Sequence, residues 1–229
     1  MAKQRYFLGC VFVVLAAFCW GLIGLLGAKL NQAGFSGLEV ASLRITLASV
    51  VLILVSPFVL NSLRAFQRKQ LPLLSMQSLL GVFLMTVCYF LAVQHIGAAL
   101  SVALLYTAPV WSMLLAHFLL KERMSFIGVM LTLITVVGVA LCLNTSAPLN
   151  WTGIAFGLLS GFSYACFGVL GKKALNNTPP TILLYSSVLI SGMAMLFMPF
   201  FHSAMQKMFT DMPPHIWMVA LMIALVGPL

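Results

Sequence analysis

Charge is what this sequence has least of: Asp, Glu, Lys and Arg make up 7% of its 229 residues, and only three of them are acidic. A soluble domain would carry roughly a quarter charged residues, so a water-facing surface could not be covered. The chain also lacks a GxxxxGK[ST] phosphate loop, which leaves no site for an ATP-driven pump. It has no CxxC pair among its five cysteines and no HExxH among its four histidines, so neither a zinc site nor a redox pair is suggested. Cys10, Cys19, Cys88, Cys142 and Cys166 read as small hydrophobes inside apolar runs. No basic stripe with interleaved aromatics occurs, which argues against nucleic acid as a partner despite a net charge of +9. Ser163 stands in Gly161-Phe162-Ser163-Tyr164-Ala165, which lacks the second glycine of a nucleophile elbow. The chain is not read as an enzyme, and no cofactor or metal is implied.

What fills the sequence is apolar: 62% hydrophobic residues and a mean hydropathy of +1.12. The solvent is therefore lipid, where only helices and closed barrels satisfy their backbone hydrogen bonds. Barrel strands are about ten residues of alternating polarity; the runs here are unbroken and about twice as long. Eight segments stand out, near 6–28, 38–60, 72–94, 98–119, 125–143, 152–171, 181–201 and 215–229. The first seven approach the ~20 residues that cross a bilayer core. The expected fold class is an all-α polytopic membrane protein of about eight transmembrane helices. The first segment, about 23 residues, exceeds a signal h-region of roughly 7–15 and reads as a retained helix.

Basic residues fall on alternate loops. Lys3, Arg5, Arg64, Arg68, Lys69, Lys121, Arg123, Lys172 and Lys173 form one set, and Lys29 and Lys207 the other. That bias places the N-terminus in the cytoplasm of a cell inner membrane.

An internal repeat links the two ends of the chain. At an offset of 144, Gly9, Phe12, Leu15, Phe18, Gly24, Leu26, Gly27 and Lys29 fall on Gly153, Phe156, Leu159, Phe162, Gly168, Leu170, Gly171 and Lys173. Trp20 falls on Tyr164, and a two-residue gap brings Pro57-Phe58 onto Pro199-Phe200. Five helices separate the copies, so the second enters the membrane from the opposite side. The expected organisation is a first five-helix repeat over residues 1–143 and a partial second repeat, helices 6 to 8, over 144–229. Inverted repeats are a signature of secondary transporters, although channels also contain them.

Several short motifs carry a family resemblance. They are Ala16-Ala17-x-x-Trp20-Gly21, Leu43-Arg44, Ala98 through Ser101, Tyr106-x-x-Pro109 and Leu119-Leu120-Lys121-Glu122-Arg123. In this order and spacing the chain resembles the EamA-type members of the drug/metabolite transporter superfamily. The resemblance implies a ten-helix carrier with both termini cytoplasmic, exporting or exchanging amino acids, nucleobases, sugars or xenobiotics. The sequence departs from that pattern near helix 8, so a second repeat shortened by two helices is expected. The function expected is secondary transport of a small metabolite, such as an amino acid or amine, by alternating access. A channel-like or non-transporting membrane subunit, or an inactive truncated carrier, stands as the alternative. A small-molecule substrate and the lipid bilayer are the expected partners, and self-association into a homo-oligomer is left open.

Five residues are candidates for substrate binding: Trp20, Arg44, Tyr106, Pro109 and Tyr164. Arg44 is a cation about six residues, or roughly 9 Å, inside the second segment. There it could meet a substrate carboxylate or phosphate, or snorkel to the outer interface. Pro109 is placed near the middle of the fourth helix, freeing the carbonyl of Leu105, with Tyr106 one turn earlier; both could line a cavity or mark a packing kink. Trp20 and Tyr164 lie deep in their segments, where indole and phenol groups need hydrogen-bond partners; a cavity and a packed helix crossing are both open. Glu39 is expected in a first helical turn, favoured by the helix dipole, and Glu122 in an interfacial charge cluster. Gly153, Gly157 and Gly161 form a small-residue stripe suited to close helix packing.

Overall fold

The computed structural model describes residues 25–63, 66–122, 126–142, 150–211 and 213–226, with isolated positions before residue 25; side chains at 58–63, 139, 140, 142 and 211 are excepted. The first apolar segment, including Trp20, therefore lies mostly outside the described residues. Those residues are helical throughout, with short turns and no strand among them, as expected where lipid offers the backbone no partner.

The helices are α1 (Gly37–Leu63), α2 (Leu71–Met76), a π-helical segment (Gln77–Leu84), α3 (Met85–Leu105), α4 (Ala108–Leu120) and α5 (Phe126–Cys142). They continue with α6 (Trp151–Leu175), α7 (Pro180–Leu196), α8 (Pro199–Asp211) and α9 (Pro214–Val226), and a 3-10 turn at Arg68–Gln70 precedes α2. Among the described residues, three helical stretches are long and apolar enough to cross a membrane: Gly37–Pro57, Arg68–Leu105 and Trp151–Leu175. The chain forms two compact units, one of residues 1–55 and 195–229, the other of 56–194.

In the first unit, Leu30, Phe35, Val40, Leu43, Ala204, Met208, Ile216, Ala220 and Ile223 make one apolar core. α1 begins with a capping box. The Ser36 amide donates to Glu39 Oε2 at 2.7 Å, and the Glu39 amide donates to Ser36 Oγ at 3.3 Å. Two otherwise orphaned donors are satisfied this way, which sets Glu39 in the first turn.

In the second unit, the stretch from Arg68 to Leu105 would measure about 57 Å as one straight helix, nearly twice a ~30 Å bilayer core. It is not straight. Gly97 has φ 77° and ψ 165°, a conformation open to glycine because it lacks Cβ. Packing against α6 shows the reversal. A Cβ on Gly153 would meet His95 and Ile96, one on Gly157 would meet Leu104, and one on Gly161 would meet Thr107. Gly81, well before Gly97, lies against Phe167. The chain thus runs antiparallel to α6 up to Ile96 and parallel to it from Ala98, a hairpin turned on one residue. This matches the expected boundary between the segments 72–94 and 98–119.

The expected segment 98–119 is not one helix. α3 ends at Leu105, Tyr106 has left helical geometry at φ −72°, ψ 5°, and α4 starts at Ala108 with Pro109 in its first turn. Pro109 is therefore corrected from a mid-helix kink to a helix start. Its missing N–H falls where no intrahelical partner exists, and its fixed φ suits that position. The segment 181–201 is likewise split, α7 ending at Leu196 and α8 beginning at Pro199.

Candidate functional site

The second unit is built around glycine-thin crossings. A Cβ on Gly157 would fall 2.5 Å from Leu104 Cδ1, one on Gly161 2.6 Å from Thr107 Oγ1, and one on Gly81 2.7 Å from the Cα of Phe167. α6 can lie this close to its neighbours only because those side chains are absent, so the 153–157–161 stripe is a packing seam. Van der Waals contact and hydrogen bonds carry helix association in lipid, where hydrophobic burial between helices contributes little.

Along the π-helical segment the polar groups become specific. A π-helical turn adds a residue to the hydrogen-bonded ring, and such turns concentrate at functional sites. Ser78 Oγ donates to Leu74 O at 2.6 Å and lies 3.1 Å from Ser186 O, and Ser191 Oγ donates to Ser78 O at 3.0 Å. These contacts zip the π-helical segment to α7. Gln77 is 1% exposed, and its Oε1 lies 2.8 Å from Ser187 Oγ, which is also 2.7 Å from Leu183 O. Its Nε2 is buried with no hydrogen-bond partner among the described residues. Ser187 has one proton to donate, so in either orientation of the amide one polar end of Gln77 stays unpaired. Leaving such a group unmet in an apolar interior costs about 1–3 kcal/mol. An amide held there by two serine-bearing helices is able to hydrogen-bond a polar solute that reaches it.

Three further buried polar atoms of this unit have no partner among the described residues: Ser163 Oγ, Trp111 Nε1 and Tyr185 OH. Trp111 sits edge-on to Phe162 of α6 at 5.6 Å. The amide and these three groups distinguish the unit from a plain helix bundle, whose buried polar groups are paired.

The residues chosen from sequence are distributed as follows. Arg44 belongs to the first unit and is half-buried on α1, with the buried Ala41 and Ala48 one turn before and after it on the same face. Tyr106, Pro109 and Tyr164 belong to the second unit. Tyr106 and Pro109 are exposed at the break between α3 and α4, and Tyr164 is half-buried, stacked on Phe167 at 6.5 Å. Trp20 is outside the described residues. Glu122 forms a 2.6 Å ion pair with Lys172, both partners exposed. Gln77 was not among the sequence candidates; the signal was the polar doublet Gln77-Ser78 inside the apolar run 72–94.

The sequence model of the EamA-like transporter family matches residues 7–144. An uncharacterized transporter of Archaeoglobus fulgidus is 29% identical over 198 residues, 86% of this chain and 67% of that protein. One of Helicobacter pylori is 27% identical over 160 residues, 69% of this chain and 53% of that protein. The uncharacterized transporter YetK of Bacillus subtilis is 32% identical over 104 residues, 44% of this chain and 32% of that protein. The chain thus spans about half to two thirds of the length of the first two of these relatives. No solved structure matches.

Proposed function

The chain belongs to the EamA-like transporter family, and from that premise we propose that it is a secondary transporter moving a small metabolite, an amino acid, amine or similar solute, by alternating access. The observation that carries this reading is the Gln77 amide, buried and half-paired on a π-helical segment of a membrane helix. A packed structural helix gains nothing from that group, whereas a carrier needs polar groups that a solute can complete inside the bilayer. The internal repeat supports two inverted halves around the pathway, within about eight spans. The bias of basic residues supports an inner-membrane location with the N-terminus cytoplasmic. In this reading Tyr106, Pro109 and Tyr164 of the second unit are further candidates for solute contact, and Arg44 and Trp20 remain candidates from the sequence, Arg44 offering a cation to a carboxylate.

The test is counterflow in proteoliposomes with a panel of radiolabelled amino acids and amines. Saturable uptake with counterflow is expected, and Gln77→Met is expected to abolish it. Flux without saturation or counterflow would replace the carrier with a channel-like protein. No flux for any solute would favour a non-transporting subunit.

A further inference from the structure

At the end of the second unit that carries Lys69 and Lys173 lies a pocket of about 340 Å³. That volume is at the small end of the ~300–1,000 Å³ range of ligand sites. Leu73 and Ala174 line its inner side, next to the buried cluster of Leu74, Ala174 and Ile182. Its polar wall comes from two places in the chain: Gln67, Lys69 and Gln70 of the 3-10 turn, and Lys173, Asn177 and Thr178 at the end of α6.

The rim is fixed rather than loose. Gln70 Oε1 accepts from the Gln67 amide at 3.3 Å, and Gln70 Nε2 donates to the Asn177 carbonyl at 2.5 Å, bridging the two walls. Among the described residues neither Lys69 nor Lys173 has a carboxylate partner, while the adjacent Lys172 is paired with Glu122. Two lysines without a carboxylate partner among the described residues therefore line one concavity, with Thr178 and the side-chain amides of Asn177 and Gln67 beside them. Donors arriving from two walls suit an acceptor whose oxygens point in several directions. Basic pockets at the ends of membrane helices hold anionic headgroups on this basis.

The geometry points to a binding site for a phosphate group, carried by an anionic lipid headgroup or by a soluble phosphoester. Lys69 and Lys173 neutralise it, and the Thr178 hydroxyl with the two amides orients it. The site stands whether or not the chain transports anything.

The test uses the full chain in phosphatidylcholine nanodiscs, with and without phosphatidylglycerol, and native mass spectrometry as the readout. Wild type is expected to retain phosphatidylglycerol over phosphatidylcholine. At about fivefold per lysine, Lys69→Gln with Lys173→Gln should weaken retention about 25-fold. Lys172→Gln, which removes one positive charge just outside the pocket, should leave retention unchanged. A second arm adds glycerol 1-phosphate to chain free of anionic lipid. Binding there with the same lysine dependence supports the site and names the soluble phosphoester as its source; retention of the lipid alone supports it and names the headgroup. Equal losses in Lys172→Gln and in the pocket variants, or binding of neither ligand, would overturn the proposal.

Discussion

Each unit holds a well-defined buried polar group, and the two are satisfied in opposite ways, although Thr46 Oγ1 of the first unit also lacks a partner among the described residues. In the first, Glu39 is 4% exposed, yet its carboxylate is saturated. Oε2 accepts from Lys207 Nζ at 2.8 Å and from the Ser36 amide, while Oε1 accepts from the Ser203 hydroxyl. Lys207 also donates to Gly34 O at 3.0 Å and lies over the Phe35 ring at 5.8 Å. In the second, Gln77, Ser163, Trp111 and Tyr185 each keep a buried polar atom without a partner among the described residues. A saturated group has nothing left to offer a ligand and serves as an anchor. An unsaturated one costs stability and persists where something else uses it. On the proposed reading, the contrast leaves an anchoring role to the Glu39 cluster and solute chemistry to the Gln77 segment.

The sharpest way to break the second unit is Gly81→Ala. Its Cβ would meet the Phe167 backbone at 2.7 Å, which no rotamer change relieves. Thermal unfolding in detergent should show a loss of about 3 kcal/mol, near the top of the usual overpacking range. A loss under about 0.5 kcal/mol would mean that the crossing is looser than described.

Lys207→Met tests the saturation of the first unit by stranding a buried carboxylate. Breaking a fully buried pair costs about 3–5 kcal/mol, and the partial exposure of Lys207 brings the expectation to about 2 kcal/mol. Glu39→Gln added to it should recover part of that loss, since the stranded charge is then gone. If the double variant is no more stable than Lys207→Met, the carboxylate was not the group left in need.

Gln77→Met reverses the contrast by removing the unpaired amide at nearly constant volume. Stability should stay within about 1 kcal/mol of wild type or rise, while counterflow disappears. A clear drop in melting temperature with transport intact would make Gln77 a packing residue. The smallest effect belongs to Lys172→Gln, which breaks an ion pair exposed on both sides. Equilibrium unfolding should register less than about 0.5 kcal/mol, and a larger value would mean that the Glu122 cluster is more than an interfacial ornament.

Much of this fold is legible in the chain because its causes are local. Ser36-x-x-Glu39 carries its own capping chemistry, so the first turn of α1 could be read three residues at a time. The 153–157–161 glycines advertise a seam because their spacing places them on one helix face. The break at Gly97 falls between two apolar runs, where a turn was expected. Pro109 was misread because proline is compatible with either a kink or a helix start. Only the neighbouring departure of Tyr106 from helical geometry decides between them. Gln77 was missed for a different reason: a lone amide in an apolar run is unremarkable until one of its ends is found without a partner.

By itself the sequence determined the solvent, the all-helical class and the family. Scarcity of charge and length of apolar runs settle the first two through the cost of an unpaired backbone in lipid, and the third is carried by short motifs in order. Tertiary structure alone decided which polar groups are satisfied. Glu39 finds its partners more than 160 residues away at Ser203 and Lys207, and Gln77 meets Ser187 across 110 residues with one amide end left over. Hydrogen bonds have a reach of about 3 Å, so whether a distant group falls inside it depends on how the helices pack.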